Sequence, residues 1–119
     1  MNLIDGEQAT YPSIKEALEH CGGISRIYMW QLRDANGNSK LGVNVNEEIS
    51  KKLNRNGIGY WPALQLGQWE TVRIYLKDYP IGQIIESLNE FTPESDQILS
   101  DAASCQLKLQ AVRDAVGAC

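Results

Sequence analysis

Tyr60, Trp61 and Trp69, followed by Arg73 and Tyr75, are the residues whose types and spacing most suggest chemistry. The three aromatics bracket an irregular stretch, Gly57-Ile58-Gly59-Tyr60-Trp61-Pro62-Ala63-Leu64-Gln65-Leu66-Gly67-Gln68, punctuated by Gly and Pro at both ends. Aromatic rings beside an arginine stack a planar or sugar-like ligand, and the guanidinium pairs with its anionic group. Irregular segments on a rigid scaffold are where binding groups gather. A ligand-binding site is therefore predicted beside residues 57–69, drawing on Tyr60, Trp61, Trp69, Arg73 and Tyr75. The competing reading puts both tryptophans in the core, with Arg73 lying along them and its head in water. Burial of Trp61 and Trp69 separates the two.

Other residue types offer less. His20 is the single histidine. It cannot face the adjacent Cys21 as a catalytic pair, because helical neighbours point about 100° apart. Near a helix C-terminus it suits the dipole. Cys21, Cys105 and Cys119 are too scattered for a disulfide framework or a CxxC metal pattern. Gly57-Ile58-Gly59 has no third glycine and no strand before it, so it is no nucleotide fingerprint. Glu47-Glu48 and Glu94 with Asp96 sit at helix starts, where acids serve the dipole. No catalytic residue, metal ligand or cofactor is assigned.

The elements that position these residues follow from pattern. Residues 13–21 read as a helix with Ser13 as N-cap, Glu16 as its reciprocal partner, and Gly22-Gly23 as the stop. Residues 25–33 and 40–45 read as a β-hairpin turning at Asn36-Gly37. That register sets Leu32 against Leu41, Trp30 against Val43 and Tyr28 against Val45 on one face. Residues 47–55 read as a helix capped by Asn46, stopped by Asn56-Gly57, and anchored by Ile49 and Leu53. A short strand over Ala63–Leu66 is expected. The pattern argues against a two-residue turn at Gly67-Gln68. Residues 69–76 read as a strand with Val72, Ile74 and Leu76 on one face. A helix over 80–90 presents Ile81, Ile84, Ile85 and Leu88. Another begins at Thr92-Pro93-Glu94 and runs to about Val116, with Gly117 as its stop. Its Ile98, Ala102, Cys105, Leu109, Val112 and Val116 form a heptad-like seam, which predicts a homodimer through the C-terminal helix.

The predicted fold class is therefore α+β. A small antiparallel sheet, hairpin 25–45 plus strand 69–76, is packed by about four helices, mainly on one face. One domain over 1–119 is expected from a length of 119 residues. A net charge of −4 argues against sequence-blind nucleic-acid binding. The start, Met1–Glu7, has neither the basic nor the apolar region of a secretory signal. No apolar run reaches the ~18 residues of a membrane helix. A reducing, cytoplasmic setting is the expectation.

A short acidic domain without an enzyme signature, ending Ala-Val-Arg-Asp-Ala-Val-Gly-Ala-Cys over Ala111–Cys119, resembles the orphan accessory proteins of mobile elements, such as integron gene-cassette or phage products. The resemblance implies an adaptive accessory function, often in an oligomer, and no catalytic residues. The leading expectation is a non-enzymatic, oligomeric binding protein for a small ligand or a protein partner. The alternatives are an inhibitor or immunity-type protein that blocks another protein with an acidic surface, and a small enzyme with an unrecognised site. Salt separates the first two: an inhibitor of that kind loses association rate steeply with ionic strength.

Overall fold

A computed structural model describes residues 10–116, with side chains for residues 10–104. The seam residues Cys105, Leu109, Val112 and Val116 have side chains outside the described set. So do the Met1–Glu7 start, the side chains of the 111–119 ending, and the Gly117 stop.

The first helix, α1 (Tyr11–His20), is capped by Thr10 rather than Ser13. The Ser13 amide donates to Thr10 Oγ1 at 3.2 Å and the Thr10 amide to Ser13 Oγ at 2.8 Å. Ser13 is thus the reciprocal partner and Glu16 has no part in the cap. Pro12 is the reason: proline fits the first turn, so the helix starts before it. Gly22 and Gly23 end α1 as expected, with φ of 79° and 94°.

The chain then forms β1 (Ile24–Tyr28), α2 (Met29–Ala35) and α3 (Val43–Arg55). The 25–45 hairpin is not formed. Only its first four residues, 25–28, are strand, and 29–35 and 43–45 are helical. Met29, Gln31, Leu32, Arg33 and Ala35 are good helix formers without branching at Cβ. The N-terminal amides of α2 find partners: Tyr28 donates to Gln31 Oε1, Met29 to the Glu70 carbonyl and Trp30 to the Gln68 carbonyl. Asn36-Gly37 ends this helix. Gly37 has φ 77°, its amide donates to the Asp34 carbonyl, and the Asn38 amide donates to that of Arg33. This is a Schellman close of a helix, not a hairpin turn. Likewise α3 starts at Val43 behind Gly42, four residues before the predicted start, and Asn46 lies inside it.

Two further strands, β2 (Ile58–Trp61) and β3 (Thr71–Leu76), complete an antiparallel sheet of order β1-β3-β2. Ala63–Leu66 is loop, and the strand expected there lies earlier, at 58–61. Val72, Ile74 and Leu76 share one sheet face with Ile27, Ser25, Ile58 and Tyr60. On that face α1, α2 and α3 bury Ile14, Leu18, Met29, Leu32, Ile49 and Leu53. The fold class is therefore α+β with a small antiparallel sheet and a long C-terminal helix.

The chain divides into two compact units, Met1–Gly82 and Gln83–Cys119. The boundary falls within α4 (Pro80–Leu88), and α5 (Pro93–Val116) follows. Thr92 caps α5, its Oγ1 accepting from the Ser95 amide at 3.1 Å. Among the described residues, no helix is long and apolar enough to cross a membrane.

Candidate functional site

Val43, Asn46, Glu47, Ser50 and Lys51 recur at helical spacing and form one stripe of α3. Opposite them stand Tyr60 from β2 and Ala63, Leu64 and Leu66 from the β2–β3 loop. Between the two walls lies an open groove of about 510 Å³. That is within the range of small-molecule sites, roughly 300–1,000 Å³. Val43 and Leu66 are 66% and 61% exposed, so the groove carries apolar surface that this fold leaves uncovered.

Two polar devices hold its walls. Ser50 Oγ and Tyr60 OH are 2.9 Å apart, joining α3 to β2. One hydroxyl donates to the other, so the pair keeps one O–H and several lone pairs for a further partner. Asn46 Nδ2 donates to the Gln65 carbonyl at 3.1 Å and ties the loop to α3. Asn46 Oδ1 is enclosed and has no hydrogen-bond partner. The carbonyl of Gln65 fixes which way the amide turns, since an oxygen facing it would repel.

A serine becomes a nucleophile when a base lies within hydrogen-bond reach. The Ser50 hydroxyl has, among the described residues, the Tyr60 phenol as its hydrogen-bond partner. Among the described residues, no group of three or more His, Cys, Asp or Glu is placed to hold a metal ion.

The other face of the sheet is differently built. Across it, Arg26 on β1 stands opposite Arg73 on β3, and Arg73 opposite Trp61 on β2. The next row holds Tyr28 opposite Thr71, with the Tyr28 and Trp30 rings stacked at 6.2 Å.

The five predicted site residues are thereby divided. Tyr60 lines the groove. Trp61 and Arg73 lie on the opposite sheet face, because consecutive strand residues point to opposite sides. Trp61 is 46% and Trp69 72% exposed, so neither tryptophan fills the core. Trp69 lies in the segment before β3. Tyr75 is buried, its ring against Gly59, where a Cβ would collide with it. Sequence reasoning missed Val43 because a strand was read over 40–45; Asn46 was read only as a helix cap, and Ser50 lay within the helix read over 47–55 without being given a role. The 43/46/47/50/51 spacing was the signal for them. It also missed Arg26, whose signal was its alternation with Ser25 and Ile27.

Compared with known proteins, the chain matches no family model, no curated protein and no solved structure.

Proposed function

We propose that the protein is a non-enzymatic binding protein that takes a small, partly apolar ligand into the groove between α3 and the β2–β3 loop. The observation that supports it is the groove's composition. Val43, Ala63, Leu64, Leu66 and the Tyr60 ring supply apolar surface, and the Ser50–Tyr60 hydroxyl pair supplies one fixed polar anchor. A mainly apolar wall with a few placed polar groups is how small-molecule sites are made.

Ala63→Trp tests it. Ala63 is exposed and in the loop, so the larger side chain fills the groove without entering the core. A panel of small planar and sugar-like compounds is screened for thermal stabilisation, since a ligand that binds only the native state raises the melting temperature. At least one compound is expected to stabilise the wild type and not Ala63→Trp. Compounds that stabilise both equally, or none that stabilises the wild type, would count against the groove.

Self-association through the C-terminal helix belongs to the same reading. Leu88 and Phe91, 63% and 97% exposed just before α5, supply apolar surface for it, and Ile98 and Ala102 of the seam are half-buried. A cytoplasmic setting is supported by the exposed free thiol of Cys21.

A further inference from the structure

The three strands read Ile-Ser-Arg-Ile-Tyr, Ile-Gly-Tyr-Trp and Thr-Val-Arg-Ile-Tyr-Leu, so their only charged residues are Arg26 and Arg73. Both are arginines, and the register places them directly opposite each other on the sheet face away from the helices α1, α2 and α3. Like charges at directly opposed positions destabilise a sheet. Guanidinium groups do not escape by losing a proton, because they stay charged at every physiological pH. The usual remedy is a carboxylate between them, and there is none: neither arginine has an ion pair or hydrogen bond among the described residues. Arg33 shows the contrast, held by Asp34 and by Gln68.

Arg26 adds a second, independent observation. Its Nε is enclosed and has no acceptor. An enclosed donor without a partner is costly, and more so on a charged group. Arg73 beside it is exposed and leaves the row open from its own side. The third member of the row is Trp61, opposite Arg73 and half exposed. Two adjacent cations followed by an accessible aromatic ring make an asymmetric receptor.

We infer that the Arg26–Arg73–Trp61 row is a binding site for a small aromatic ligand carrying an oxyanion, the anion lying on the arginine pair and the ring against Trp61. The oxyanion removes the repulsion between the arginines by giving the pair a counter-charge that no described side chain supplies. A pair of carboxylate or phosphate oxygens matches the fork of a guanidinium. An aromatic body gains contact on Trp61 at small entropic cost. Two cations on a chain of net charge −4 suit one anionic group rather than a polyanion. The row and the groove are separate sites, since Trp61 and Tyr60 leave β2 on opposite sides.

Binding of phenyl phosphate, inorganic phosphate and phenol, each measured by calorimetry at constant ionic strength, tests this. Phenyl phosphate is expected to bind saturably, to be displaced by inorganic phosphate, and to bind more tightly than phenol. Arg73→Gln, an exposed position, is expected to stay folded and to weaken phenyl phosphate roughly tenfold or more, as loss of a charged hydrogen bond does. Trp61→Ala is expected to weaken phenyl phosphate and to leave inorganic phosphate unchanged. Ala63→Trp is expected to change neither. Equal affinity in Arg73→Gln, loss of binding in Ala63→Trp, or no saturable binding to the wild type would each overturn the assignment.

Discussion

Tyr11 shows how one side chain couples three helices. Its phenol donates to Asn36 Oδ1 at 2.9 Å, and the Asn36 amide reaches Asn38 Oδ1 and Glu48 Oε2. Burial, with the Glu48 carboxylate adding to it, pushes the phenol from 10.0 up to about 12. The native state therefore keeps a proton that the unfolded chain releases first. This contribution is fully present below pH 10.0 and is lost as pH rises toward about 12. Tyr11→Phe has no proton to lose. The variant is expected to be less stable at neutral pH by about 1 kcal/mol, the worth of one hydrogen bond. Its stability is expected to fall less steeply than the wild type's over that alkaline range. Urea unfolding of both proteins across it is the check, and parallel curves would contradict the account.

At the scale of elements, one dipeptide carried two meanings. Asn56-Gly57 was read as the end of a helix, and it is one, with Gly57 at φ 70°. Asn36-Gly37 was read as a hairpin turn because apolar residues alternate on both sides of it. Yet both uses need the same positive φ on glycine, so the dipeptide alone does not decide between them. The alternation of Tyr28, Trp30 and Leu32 also fits a short helix, since seven residues are too few to separate the two periods. The strand read over 69–76 is β3, two residues shorter at its start, and was legible because Val72, Ile74 and Leu76 alternate with Thr71, Arg73 and Tyr75. α1, α4 and α5 were legible because proline, glycine and capping hydroxyls mark their ends. The groove was half legible: Tyr60 was named from its loop, whereas on the α3 wall Val43 was hidden by the misread 40–45 segment and Asn46 and Ser50 were read only as parts of a helix. Gly42 gives a test of the corrected boundary. It stands at the N-cap of α3 with extended backbone, φ −176°, and no side-chain cap. Gly42→Asp is expected to stabilise the protein by roughly 0.5 kcal/mol through the helix N-terminus. In a strand the same change would destabilise, because aspartate is disfavoured there. Chemical denaturation gives the sign.

At the scale of the whole molecule, the sheet separates two surfaces with different chemistry. The inner face carries the core and, at its Tyr60 edge, the groove. The other face carries the arginine pair and Trp61. Self-association is checked by light scattering at high micromolar concentration, where a dimer mass is expected and a monomer mass would refute it. Phe91→Asp should lower that mass while leaving the fold intact, since Phe91 is 97% exposed. The claim on which the functional reading turns is that a ligand lies between α3 and the β2–β3 loop. Amide shifts followed during titration with a stabilising compound test it most directly. The account expects saturable shifts centred on Val43, Asn46, Ser50, Tyr60 and Leu64, absent in Ala63→Trp. Shifts centred elsewhere, or unchanged in that variant, would contradict it.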